Sequence, residues 1–177
     1  GTNIGSKLLL GLLVIIFGAF FVTVASRIVG LIGSSNSPIS GMTIATLMGT
    51  CLIFIMVKWT GHIYEPMALV VGGMICIAAA NAGATSQDLK TGYLVGATPK
   101  YQQISLFVGA IVSSLAIGAT IKILDQPTAE MAAQGIQHAI GTDKFPAPQG
   151  TLMATLIKGI LSFNLDWQFV LVGVFIA

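Results

Sequence analysis

The chain is 177 residues long, 55% hydrophobic and only 8% charged, with a mean hydropathy of +0.91. Soluble domains carry about a quarter charged residues, so this composition cannot clothe a globule in water and excludes an ordinary soluble fold. A formal net charge of +2 is too small to draw nucleic acid, and the two cysteines, Cys51 and Cys76, lie inside apolar runs as packing residues.

The first apolar segment, residues 8–25, is long enough to span a bilayer, with Lys7 and Arg27 as flanking anchors. Gly11, Gly18 and Ala25 recur every seven residues and put small side chains on one helix face, where a neighbour can approach closely. A cleaved signal peptide does not fit, because no cleavage site follows a short apolar core and further spans come after it.

Between Gly30 and Thr46 the apolar pattern breaks at Gly33, Ser34, Ser35, Asn36, Ser37, Pro38, Ser40 and Gly41. Pro38 lacks an amide hydrogen and disfavours helix at the residue before it, while Gly33 and Gly41 weaken helix on either side. Two readings are open. The stretch is an interfacial loop, or it is a helix break lining a cavity, since unpaired backbone cannot face lipid.

A second span covers 42–57 and ends at Lys58 and Trp59, an interface pair. His62 and Glu65 follow as solvated groups, with a proton relay as the sharper alternative. The third span, 66–84, carries Ala68, Gly72, Cys76, Ala80 and Ala84 at four-residue spacing, a stripe suited to close helix contact, and Asn81 near its end. Thr85 to Asp88 has the spacing of a helix N-terminal capping box; the alternative for Asp88 is a charge that binds or relays protons beside a cavity. Gly92 and Gly96 suit a short packed helix, and Thr98-Pro99 is expected to stop it.

The fourth span, 104–124, offers Gly109, Ser113, Ser114 and Gly118 as another close-packing surface, and Lys122 can snorkel to the interface. Residues 125–150 read as an extramembrane connection with a modest helix bearing Ala129, Ala133, Ile136 and Ile140 on one side. His138 stands alone, and nothing there has metal-ligand spacing. In 151–163, Thr151, Thr155, Lys158 and Ser162 form a polar stripe on a helix short for a span, so it is amphipathic at the interface or re-entrant. Residues 168–177 are a truncated span, about half the length a crossing needs.

The fold expected is therefore all-α: a polytopic helical membrane protein with about four full transmembrane helices, a short amphipathic or re-entrant helix and a truncated final span. The whole of 1–177 reads as one transmembrane region, a fragment of a larger protein whose remaining helices complete its packing. Positive charges do not orient it, since Lys7, Lys58, Lys122 and Lys144 fall on one side and Arg27, Lys90 and Lys100 on the other.

Three motifs, Ile32-Gly-Ser-Ser-Asn-Ser-Pro-Ile-Ser-Gly-Met-Thr-Ile, the long run from Ala78 through Asn81, Gln87 and Asp88 to Pro99, and Pro146-Ala-Pro-Gln, together resemble the oligopeptide transporter family. The resemblance is to its prokaryotic branch, related to the yellow-stripe-like metal-chelate transporters, and covers most of the chain. It implies a large carrier built by internal duplication of helical units, moving peptides or metal chelates coupled to protons. Ala84 stands between Gly83 and Thr85, where the resemblance leads one to expect an acidic residue, so a coupling role for that acid does not carry over.

The reading is a secondary active transporter, not an enzyme, moving oligopeptides or peptide-like metal chelates, with protons as coupling ion and no cofactor or bound metal. Its partners are membrane lipid and the small substrate, with a homo-oligomer left open, and its place is the bacterial inner membrane. Ser34, Ser35, Asn36 and Ser37 are the first candidates for substrate contact, followed by Asn81, Gln87 and Asp88, then Thr155 and Lys158. Such side chains satisfy amide and carboxylate groups without reading side-chain identity, which suits a tolerant site. A channel with a broken-helix selectivity constriction is the alternative. An intramembrane hydrolase lacks support, because neither Gly-x-Ser-x-Gly nor His-Glu-x-x-His occurs.

Overall fold

A computed structural model describes residues 4–176, and the apolar runs resolve into helices. These are α1 (Ile4–Ile32), α2 (Ile39–Met56), α3 (Tyr64–Val95), α4 (Pro99–Leu124), α5 (Ala129–Ala133), α6 (Pro148–Leu161) and α7 (Trp167–Ile176). A single 3-10 turn, Ser34–Asn36, separates α1 from α2. The first four helices are each long and apolar enough to cross a membrane. Helix is what lipid demands, because every backbone donor and acceptor must be satisfied within the segment. Among the described residues, extended pairing is confined to one isolated bridge between Ile140 and Phe145.

The chain divides into two compact units. The first comprises Gly1–Ala25, Pro38–Ala80 and Leu152–Ala177. Its core joins Leu13 of α1, Leu47, Cys51 and Phe54 of α2, Ala68 of α3, and Ile157, Ile160 and Leu161 of α6. Small residues set the approach distances: the Phe17 ring lies over Gly49, Leu47 lies over Gly72, and Leu165 folds back over Gly159. α2 ends in a left-handed residue, Lys58 at φ 61°, and the next amide, Trp59 N, reaches back to Phe54 O at 2.7 Å. That is a Schellman turn, and the apolar contact that accompanies such turns is present as Trp59 packed against Phe54. Tyr64 then stacks on Trp59 with centroids 5.4 Å apart. In α6 the buried Ile157, Ile160 and Leu161 face the core, while Thr155, Lys158 and Ser162 are exposed. The polar stripe thus lies opposite the apolar one, as the spacing requires.

The second unit comprises Ser26–Ser37 and Asn81–Thr151. α3 ends at Val95 because Gly96 takes φ 77° and Ala97 N closes on Gly92 O at 2.8 Å. Pro99 does not stop that helix; it occupies the first turn of α4, where its missing N–H costs nothing. None of α4 is buried, so Gly109, Ser113, Ser114 and Gly118 make no close helix contact among the described residues. Beyond α4, the short α5 is cut off by Gly135 at φ 77°, so Ile136 and Ile140 do not continue its face as the sequence pattern suggests.

Three further expectations change. Thr85–Asp88 lies inside the unbroken α3, so there is no helix start there for a capping box to satisfy. In α1, Gly11 and Gly18 meet nothing within 4 Å, and the contacts come instead from Leu13 and Phe17. In α3 the buried line is Ala68, Val71, Gly72, Ile75 and Ala79, so the stripe is buried at Ala68 and Gly72 but only half-buried at Cys76 and Ala80. A strict four-residue stripe drifts by about 40° per step on a helix of 3.6 residues per turn, and Ala84 has turned outward and is exposed.

Candidate functional site

The helix break and the C-terminal half of α3 meet within the second unit. α1 ends where Gly33 adopts φ 87°, a left-handed value that glycine takes without penalty, and its amide bonds Val29 O at 3.0 Å. The 3-10 turn follows, closed by Ser37 N on Ser34 O at 3.2 Å. Ser34, Ser35 and Asn36 are exposed and Ser37 is half-buried, with its Oγ enclosed and lacking a hydrogen-bond partner among the described residues.

One face of α3 grips this end of α1. Gly83, Ser86, Gln87 and Lys90 fall at i, i+3, i+4 and i+7, which puts them on a single helix face. A β-carbon at Gly83 would stand 2.8 Å from Val29 Cγ2, so glycine is what lets the two helices close at this level. One turn further, Ser86 Oγ donates to Ser26 O at 3.0 Å. The Ser34 amide donates to Gln87 Oε1 at 3.2 Å, and Lys90 Nζ donates to Gly30 O. The last carbonyls of a helix have no partner within it and carry its negative dipole end, so an ammonium from α3 is well suited to Gly30 O.

The nine sequence candidates therefore separate. Ser34 and Gln87 are brought into direct contact, with Ser35, Asn36 and Ser37 on the same turn. Asn81 and Asp88, seven residues apart, share another stripe of α3, more than a quarter turn round from the face that holds α1. Both are exposed. On that second stripe Gln102 of α4 covers the buried Gly92 and donates from Nε2 to Asp88 O at 3.2 Å. Thr155 and Lys158 belong to the first unit and sit on the exposed stripe of α6.

Ser26, Gly30, Gly83, Ser86 and Lys90 escaped the sequence reading. The signal was there in the spacing of Gly83, Ser86, Gln87 and Lys90, but it was divided between a supposed end of one span and a supposed start of another helix. The two histidines also have partners: His62 Nδ1 lies 2.8 Å from Glu65 Oε1, and His138 Nδ1 lies 2.6 Å from Asp125 Oδ2. His138 thus does not stand alone. It and the Ile140 amide hold the Asp125 carboxyl below the usual aspartate value.

In the first unit, α1 and α3 border an apolar groove of about 540 Å³, with Leu10, Val14, Met67, Val70 and Met74 among its walls. Those walls offer no hydrogen-bonding side chain to an amide-rich ligand, whereas the helix break offers hydroxyls, amides and an ammonium. Among the described residues no group of three or more His, Cys, Asp or Glu side chains could hold a metal ion.

A family model described as OPT oligopeptide transporter protein matches residues 2–177. A curated protein of Haemophilus influenzae named "Putative oligopeptide transporter" is 32% identical over 169 residues, covering 90% of this chain and 27% of that protein. The chain thus spans about a quarter of the length of that relative. No solved structure matches the chain.

Proposed function

This chain belongs to the OPT oligopeptide transporter family, a family of transporters and not of enzymes, and on that premise we propose that it forms part of a secondary active carrier for oligopeptides. It is an integral, multi-pass membrane protein, with four helices fit to cross a bilayer. We place it in the bacterial inner membrane, with the helix break at Ser34–Ser37 and its partner Gln87 as the substrate-contacting element.

The observation that carries this reading is the union of a broken helix with a polar face of a neighbouring one, in a chain otherwise built of apolar helices. Ser34, Ser35, Asn36 and Ser37 present hydroxyl and amide groups that can donate or accept, and Ser37 Oγ has bonding capacity unused. Peptide bonds need such groups and do not need a particular charge. Peptide-like metal chelates share that chemistry and remain within the same substrate class. Thr155 and Lys158 on α6 of the first unit, and Asn81 and Asp88 on a separate face of α3, are kept as further candidates for substrate contact. Protons are the proposed coupling ion, with Asp88 as the carboxylate to test.

The test uses the full-length parent in proteoliposomes. Asn36→Leu removes an amide that the substrate uses, and a buried unpaired group costs about 1–3 kcal/mol, so affinity should fall by roughly one to two orders of magnitude. Cysteine at Ser35 in a cysteine-free background should react with a small aqueous thiol reagent and be protected by saturating substrate. Unchanged affinity together with unprotected labelling would remove the break from the substrate site. Counterflow of labelled peptide distinguishes a carrier from a channel, which shows none. Asp88→Asn should abolish proton-driven accumulation and spare exchange; intact accumulation would clear Asp88 of coupling.

A further inference from the structure

We propose that Lys90 reads the carboxylate of the substrate, and that it does so by leaving the α1 carbonyl it holds in this structure. The proposal rests on the oligopeptide reading above and adds a specificity-determining residue to it.

Lys90 is exposed, on the last two turns of α3, and its ammonium is bonded to a neutral acceptor, Gly30 O. Among the described residues no carboxylate lies within ion-pair distance of Lys90, the close nitrogen–carboxylate contacts being His62 with Glu65 and His138 with Asp125, so the Lys90 charge is not neutralised. The bond to Gly30 O is charged on the donor side alone, whereas a carboxylate adds the attraction of a full opposite charge, so a carboxylate arriving here displaces the carbonyl. Without the Lys90 contact, the α1 end retains Ser86 Oγ on Ser26 O, and Gln87 retains Ser34 N. Loss of the Lys90 contact therefore frees one carbonyl to water without unpacking the two helices.

Position adds to charge. Lys90 and Gln87 are three residues apart on the same α3 face, and Gln87 holds the first residue of the 3-10 turn. A carboxylate paired with Lys90 thus lies beside the hydroxyls and amide of Ser34–Ser37, which can take the adjoining peptide groups. The free C-terminal carboxylate is the one such group every linear peptide carries whatever its side chains. Recognition of it gives affinity without selecting sequence, which a tolerant carrier needs.

The test compares binding of a tripeptide with a free C-terminal carboxylate and of the same tripeptide C-terminally amidated, in the full-length parent transporter. In the wild type, amidation should weaken binding about tenfold, the equivalent of one charge-assisted bond. In Lys90→Gln, which can still donate to Gly30 O, the two peptides should bind equally, both near the wild-type affinity for the amide. Lys90→Arg keeps the charge and should retain the preference. Retained binding of the amide shows that the variant is folded. A Lys90→Gln protein that keeps the wild-type preference for the free acid overturns the assignment. Failure of the wild type to bind either peptide overturns the oligopeptide reading itself, and the assignment with it.

Discussion

The backbone N–H of Ser34 donates to Oε1 of Gln87 at 3.2 Å, tying positions 53 residues apart in the sequence. A 3-10 turn has few internal bonds, so this one long-range acceptor fixes where the break sits against α3. Gln87→Leu removes the acceptor and leaves the amide to water. The bond is exposed, so its net worth is about 0.5–1.5 kcal/mol, and hydrogen exchange at Ser34 should quicken by roughly twofold to tenfold. Gln87→Glu, which still offers an oxygen, should exchange at close to the wild-type rate. Equal exchange in wild type and Gln87→Leu would mean that the turn is held by something else.

Gly72 and Gly73 are neighbours with opposite surroundings. A β-carbon on Gly72 would stand 2.8 Å from Cγ of Leu47, itself only 2% exposed, whereas one on Gly73 meets nothing within 4 Å. Both alanine variants gain the same helix propensity, up to about 1 kcal/mol, so the difference between them isolates packing. We expect Gly72→Ala to be less stable than Gly73→Ala by about 1–3 kcal/mol, read from thermal or denaturant unfolding in detergent. Adding Leu47→Ala should recover part of that difference, because neighbouring sites are not additive. Indistinguishable Gly72→Ala and Gly73→Ala proteins would show that the α2–α3 contact is looser than described.

Lys58 ends α2 at φ 61°, a conformation that costs a residue with a β-carbon about 1 kcal/mol or more and costs glycine little. Lys58→Gly should therefore stabilise the α2–α3 turn, by up to about 1 kcal/mol, and leave the stacking of Trp59 on Tyr64 unchanged. Lower stability in the glycine variant, with near-ultraviolet dichroism unchanged, would argue that the lysine head contributes more than its backbone costs.

The Asp125 carboxyl is lowered first by the hydrogen bond from His138 and then by the Ile140 amide, which donates to Oδ1 at 3.2 Å. A carboxyl whose folded value lies below its unfolded value, about 3.9, stabilises the fold above that pH and loses the effect as pH falls through the lowered value. Hydrogen exchange at Ile140 should be slower in wild type than in Asp125→Ala at neutral pH. The gap should persist down to about pH 4 and close below it. Equal exchange at Ile140 in wild type and Asp125→Ala at neutral pH, or a gap unchanged below about pH 3, would overturn the contact.

Most of the architecture was legible in the sequence, because a lipid solvent leaves few options. Long apolar runs must be helices, and the Gly33 to Pro38 cluster had to interrupt one, since glycine and proline act on the backbone locally whatever surrounds them. The polar stripe of α6 follows from spacing alone for the same reason. What local pattern could not fix was which small residues meet a neighbour. Gly49, Gly72 and Gly83 do, while Gly11, Gly18 and Gly109 do not, because contact depends on the facing helix as much as on the glycine. The Thr85–Asp88 spacing likewise imitates a helix start, yet the preceding residues already supply the carbonyls that a continuing α3 uses. The pairing of Gln87 with Ser34 and of Lys90 with Gly30 lay further beyond reach. Each joins residues more than 50 positions apart and depends on the rotation and approach of two helices, a relation that exists only once tertiary packing has set it.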